Sequence, residues 1–327
     1  MTIAEPVPAM ALIMRYRTWL LSLLVLFAGA TLYLVEHRRF EQGAAIDVYE
    51  RQLARLEALA RQQPLPDFRS IEDTQARKQL FFDFLAPLVQ TANNVLAFQA
   101  RKLSLIQTKL PAVTGDTGQT VELAADALSF IDMLTQRYLR GAAEPLANPV
   151  ALPLLHERLE DIEQRLLPVP ASLPLAQAAI ESAWGTSRFA RVGNNLFGQW
   201  CFQQGCGLVP RARPADAAHE VANFESVYDS VVAYLLNLNG HPAYADLRAI
   251  RLSTIEAGKQ PDGAMLAGGL VSYSQRGQVY VDDIRTLIVN NKLSRYVHTQ
   301  ERGASQIRAL TRQLTARLKK ANGVQSQ

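Results

Sequence analysis

Glu181 is the side chain whose surroundings most invite chemistry. It lies in the run Leu175-Ala-Gln-Ala-Ala-Ile-Glu181-Ser-Ala-Trp184, where it is the only ionisable group. A helix this small and apolar is buried on most faces, and burial disfavours a carboxylate. The last turn of a helix, with its carbonyls pointing outward, disfavours negative charge as well. Both effects raise the acid's pKa. A carboxyl held protonated near neutrality is what a general acid for a glycosidic oxygen requires. A Glu that merely pairs with Arg188 or Arg191 is the competing reading.

Other reactive side chains make weaker patterns. His219-Glu220 opens a zinc-protease dipeptide, but Asn223 stands where the second His belongs. Cys201 and His219 have the residue types of a cysteine amidase, which needs a free thiolate. In an exported chain, Cys201 and Cys206 could instead close a disulfide across the turn at Gly205. Two cysteines cannot supply a Cys₄ zinc site or an iron–sulfur cluster, and no cofactor or metal is expected.

The elements that must position these groups follow from local patterns. Gly185 suits the left-handed position that ends the Glu181 helix; Ser172 suits its N-cap and Pro174 its first turn. Gly193-Asn194-Asn195-Leu-Phe197-Gly198 predicts a tight turn that offers side-chain amides to a ligand or to backbone. A short hairpin around Gly205, a strand over 219–224 and a helix over 226–238 should follow. Upstream, apolar periodicity predicts helices over 71–110, with Pro87 as a kink, over the stretch carrying Leu123 to Tyr138, and over 152–167. Ile46, Tyr49, Leu53, Leu56 and Ala60 predict an amphipathic stalk helix. All of this region, 36–165, reads as structural and chemically silent.

At the chain's start, Arg15 and Arg17 precede an uncharged, Leu-rich run over 18–35, with Trp19 and Tyr33 near its ends. Such a run spans roughly 25 Å as a helix, at the short end for a bilayer. A cleavable signal segment competes, because Ala28-Gly-Ala30 is a small-x-small pattern. Apolar residues continuing through Val35 favour an uncleaved inner-membrane anchor, with residues 1–17 cytoplasmic and the rest in the periplasm. The stretch 298–327 predicts a basic amphipathic helix. With 48% hydrophobic and 20% charged residues in 327, and a net charge of +4, the chain is globular, of about two-domain size, and carries no signature of nucleic-acid binding.

Ala176-Gln-Ala-Ala-Ile-Glu-Ser-Ala-Trp-Gly185 with Gly193-Asn-Asn-Leu-Phe-Gly198 resembles the bacterial glucosaminidase family of cell-wall hydrolases, over about residues 165–297. The resemblance implies a mainly α, lysozyme-like domain with a small β lobe over 166–297. It implies action on peptidoglycan glycan strands, at the bond after N-acetylglucosamine. Glu181 matches the family's general acid. Tyr273 and Tyr280 match its two cleft tyrosines, Asn194, Asn195 and Phe197 match the turn lining the cleft, and Tyr244 matches a structural position. Two-carboxylate hydrolysis also needs a second acid, about 5 Å away for retention or about 6.5–9.5 Å for inversion. Glu220 is the nearest candidate, with Asp216 and Glu225 behind it, unless the sugar's 2-acetamido group replaces it. Arg211 and Arg213 are candidates for peptide-stem carboxylates. A lytic transglycosylase and an inactive peptidoglycan-binding scaffold are the alternatives.

Overall fold

The computed structural model describes residues 46–112, 118–139, 144–211, 213 and 218–296. The chain divides into two compact units, residues 1–52 with 310–327, and residues 53–309. Of the first unit only the helical residues 46–52 are described. The expected membrane segment over 18–35, its flank over 1–17 and the basic helix over 298–327 lie outside the described residues. Among the described residues, no helix is long and apolar enough to cross a membrane.

In the second unit, helix α1 (46–61 overall) contributes its turns from residue 53 onward. Helix α2 (Thr74–Gln107) begins where the Asp73 carboxylate accepts the Ala76 N–H at 2.6 Å. Phe81, Leu85, Val89, Ala92 and Leu96 recur every three or four residues and form its buried stripe. The helix continues through Pro87 as one element. Strand β1 (Thr120–Val121) pairs antiparallel with β2 (Val150–Ala151); α3 (Ala125–Tyr138) and α4 (Leu152–Arg165) pack on each other beside them.

No break in packing marks residue 165, where the sequence suggested that an accessory region ends. The buried Asn93 amide of α2 donates to the Val169 carbonyl at 2.8 Å and accepts the Val169 N–H at 3.0 Å. The C-terminal carbonyls of α4 are orphans of the helix ladder. Arg251, 1% exposed, covers that of Gln164 at 3.1 Å and also donates at 2.8 Å to the Leu167 carbonyl just past the helix. One hydrophobic core therefore runs from Ala60 to Tyr296.

Helix α5 (Ser172–Glu181) lies at the centre of this core, against α2, the short α9 (Gly263–Leu266) and α10 (Gln278–Asn290); residues 172–179 are all buried. Ser172 sits inside the helix and does not cap it. The short α6 (Arg188–Gly193) leads to a small antiparallel sheet of β3 (Trp200–Cys201), β4 (Gly207–Leu208) and β5 (Glu220–Ala222), with β5 in the middle. Helix α7 (Val227–Gly240), capped by Ser226, and α8 (Ala245–Glu256) precede α9, and a 3₁₀ segment over Ala267–Tyr273 leads toward α10. The result is mainly helical with a small β lobe, as the family resemblance implied.

Candidate active site

Glu181 is the last residue of α5, and the chain leaves it through an unusual turn. Ala183, Trp184 and Gly185 all have positive φ, at 49°, 59° and 76°. For non-glycine residues that region costs roughly 1–2 kcal/mol each, so the surroundings must hold it. Ser182 donates to the Ala178 carbonyl at 2.6 Å and accepts the Gly185 N–H at 2.8 Å. Trp184 packs edge-on against Phe82 (5.3 Å) and Phe81 (5.9 Å) of α2, with the Lys78 ammonium 5.0 Å over its indole. The upstream helix is thus a structural part of the Glu181 site.

The Glu181 carboxyl is half-buried. Burial raises its pKa above the usual carboxylate value; the Tyr280 hydroxyl and the charge of Arg276 pull it back without cancelling the rise. Tyr280 donates to Oε1 at 2.8 Å. The other oxygen, Oε2, faces Gly198: a Cβ there would stand 3.4 Å from it. Gly198 has φ +64°, a left-handed conformation that glycine adopts without the strain a side chain would bring. Neither Arg188 nor Arg191 pairs with Glu181: Arg188 donates to the Val209 carbonyl, and among the described residues the acid's hydrogen-bond partner is Tyr280.

Tyr273, part-exposed, stacks on Tyr280 with ring centres 5.5 Å apart and planes 4° apart; its hydroxyl donates to the Phe197 carbonyl at 2.9 Å. Phe197 stacks on Tyr234 at 4.0 Å. Glu181, Tyr273, Tyr280 and Phe197 therefore converge. Yet Phe197 and Tyr280 are 1% and 2% exposed, so their rings support the site from behind and offer little surface to a ligand.

The two asparagines are also occupied. Asn194 adopts the left-handed conformation that ends α6 and donates to the Phe224 and Glu225 carbonyls. Asn195, 1% exposed, donates to the Gln199 and Ala222 carbonyls and accepts the Phe197 and Gln199 N–H groups. All four of its hydrogen-bonding positions are used. The expected substrate-binding turn is a self-satisfied brace that ties the β lobe to α6.

Glu220 has a different task from the one its position in sequence suggested. Its Oε1 accepts the Gly205 N–H at 3.1 Å and its Oε2 the Gly207 N–H at 2.8 Å; these bonds lower its pKa. Both oxygens clamp the hairpin that the Cys201–Cys206 disulfide closes. Neither cysteine is free, so the amidase reading has no nucleophile. His219 lies stacked under Trp200 at 4.0 Å. Arg211 is exposed, and Arg213 donates to the His219 carbonyl. Asp216 lies outside the described residues.

Sequence reasoning passed over Gln177 and Tyr234. Gln177, fully buried, donates to the Tyr280 hydroxyl at 2.9 Å and accepts the Tyr234 hydroxyl at 2.6 Å. Its signal was available: a lone amide four residues before Glu181, hence on the same face of an otherwise apolar helix.

Residues 160–293 match the family described as glucosaminidase, mannosyl-glycoprotein endo-beta-N-acetylglucosaminidase. The protein Bax of Escherichia coli (strain K12) is 35% identical over 124 residues, which cover 38% of this chain and 43% of Bax. The match thus spans less than half the length of that curated relative. No solved structure matches the chain. With an acid at the end of a buried helix and this family match over the same residues, the chain carries a glucosaminidase-family domain over residues 160–293 and resembles Bax within it.

Proposed function

We propose that this chain is a peptidoglycan hydrolase, an endo-β-N-acetylglucosaminidase that cuts the bond after N-acetylglucosamine with Glu181 as general acid. The observation that carries this reading is the Glu181 carboxyl itself: pushed up in pKa by burial, bonded to Tyr280 through one oxygen, with the other turned to Gly198. Oε2 protonates the leaving oxygen as the glycosidic bond breaks, and a general acid of this kind contributes roughly 10²–10⁴-fold in rate. The uncharged segment over 18–35 would anchor the chain in the inner membrane, and the Cys201–Cys206 disulfide suits a periplasmic domain.

A second reading is favoured by the commitment of Glu220 to the hairpin. Glu220, the nearest sequence candidate for a second carboxylate, has both oxygens engaged by the Gly205 and Gly207 N–H groups. A single-acid reaction needs no second carboxylate: the substrate's 2-acetamido group stabilises the anomeric carbon, or, in a lytic transglycosylase, the muramyl 6-hydroxyl takes the place of water. Mass spectrometry of purified peptidoglycan digested by wild type and by Glu181→Gln separates these. Reducing-end N-acetylglucosamine made only by wild type supports the hydrolase; 1,6-anhydromuramyl ends support the transglycosylase. Intact glycan with retained sacculus binding would refute both in favour of a binding scaffold.

A further inference from the structure

We propose that Gln177 and Tyr234 are positioning residues: a one-way relay from Tyr234 through Gln177 and Tyr280 keeps Glu181 Oε1 an acceptor and reserves Oε2 for the transferable proton. This inference rests on Glu181 being the acid. Its basis is the hydrogen count along a buried chain. A tyrosine hydroxyl has one hydrogen, and an amide has one accepting and one donating end. Tyr234 donates to Gln177 Oε1 at 2.6 Å, which turns Gln177 Nε2 toward Tyr280 at 2.9 Å. The Tyr280 oxygen is then an acceptor from Gln177, so its own hydrogen goes to Glu181 Oε1 at 2.8 Å.

Reversing the amide costs both ends of the chain. Gln177 Oε1 would then draw the Tyr280 hydrogen away from Glu181. Gln177 Nε2 would donate to Tyr234, whose hydroxyl, fully buried, has no other acceptor among the described residues. A buried donor left unsatisfied costs about 1–3 kcal/mol, so one polarity is enforced. The rings are held by a closed circuit of contacts: Tyr280 on Tyr273, Tyr273 to the Phe197 carbonyl, and Phe197 on Tyr234. With Oε1 always receiving a hydrogen bond, the acid proton resides on Oε2, beside Gly198 and away from the core. Arg276, ion-paired with Asp283, is the charged group that acts on Glu181; Tyr280, Tyr234 and Tyr273 are the titratable groups coupled to it from the surrounding elements.

The test uses the full chain with Tyr234→Phe and Tyr280→Phe, and with Gln177→Met as a second interruption of the relay. Thermal unfolding confirms that each variant is folded. The Glu181 carboxyl is titrated directly by carbon-13 NMR of glutamate-labelled protein, assigned by its loss in Glu181→Gln. Because Tyr280 bonds to the charged form, its loss raises the Glu181 pKa further. Tyr234→Phe, which frees the amide to turn over, should raise it in the same direction although Tyr234 does not touch the acid. On peptidoglycan, both phenylalanine variants should lower kcat about tenfold with KM little changed, and move the alkaline limb of the pH profile upward. A Glu181 titration unmoved by Tyr234→Phe and Gln177→Met, but shifted by Tyr280→Phe, would overturn the relay. Wild type without hydrolytic activity would sink the functional reading, while the NMR titration would still decide the relay.

Discussion

Gly185→Ala tests the turn that presents Glu181. Gly185 has φ +76°, and a Cβ there would stand 2.5 Å from Phe68 Cδ2 and 2.8 Å from Cε2. The Phe68 ring cannot swing aside: it is 1% exposed and held edge-on by Phe81 at 5.4 Å and Phe84 at 6.1 Å. Two penalties add. An alanine in the left-handed region costs roughly 1–2 kcal/mol, and overpacking a tight core costs roughly 1–3 kcal/mol. The sum, about 2–5 kcal/mol, lowers Tm by about 4–20 °C at about 2–4 °C per kcal/mol for a unit of this size. Urea unfolding of the full chain, followed by tryptophan fluorescence and far-UV circular dichroism, measures the loss. Both probes should shift together, because α2 and the Glu181 turn share one core. Phe68→Ala removes the obstacle, so Gly185→Ala in that background should cost only the backbone part, roughly 1–2 kcal/mol. A loss below about 1 kcal/mol, or the same loss in both backgrounds, would refute the packing of Phe68 against this turn.

Three further expectations follow from the same geometry. The folded-state pKa of Glu181 is raised, so its contribution to stability is full below the ordinary glutamate value and falls as pH rises through the raised one. Glu181→Gln should therefore be more stable than wild type at neutral pH, with the difference vanishing in acid, as denaturation at pH 4 and pH 8 can report. Glu220 is the opposite case: its pKa is lowered, so its contribution is present above the ordinary value and disappears as pH drops through the lowered one. Glu220→Gln should loosen the hairpin, seen as faster amide exchange at Gly205 and Gly207, and should reduce turnover far less than Glu181→Gln; equal losses would restore Glu220 as a catalytic group. Asn195→Ala removes the acceptor of the Phe197 and Gln199 N–H groups, while the Gln199 carbonyl keeps the Ala222 N–H at 2.9 Å; a loss of roughly 2–6 kcal/mol in urea unfolding is expected if both N–H groups stay buried.

Helix periodicity, the burial of Glu181 and the hairpin were legible in the sequence because each depends on neighbours within a few residues. The spacing of Phe81, Leu85, Val89 and Leu96 made α2 a helix before any packing was known. The isolation of Glu181 among small apolar residues made its raised pKa readable. The five-residue separation of Cys201 and Cys206 made their disulfide feasible, and the turn at Gly205 gave it a shape. What the side chains bond to was not legible, because partners come from distant segments. Tyr280 reaches Glu181 across 99 residues, and Tyr234 reaches Gln177 across 57. Glu220 and Asn195 carry residue types that suit a site equally well as a brace; only the neighbouring backbone N–H and carbonyl groups assigned them to the brace. The N-terminal helices looked like a separate stalk because apolar periodicity reports that a face is buried and never what buries it. Tertiary packing decided that Phe68, Phe81 and Phe82 lie against the turn at Trp184 and Gly185, so that residues far upstream hold the proposed acid in place.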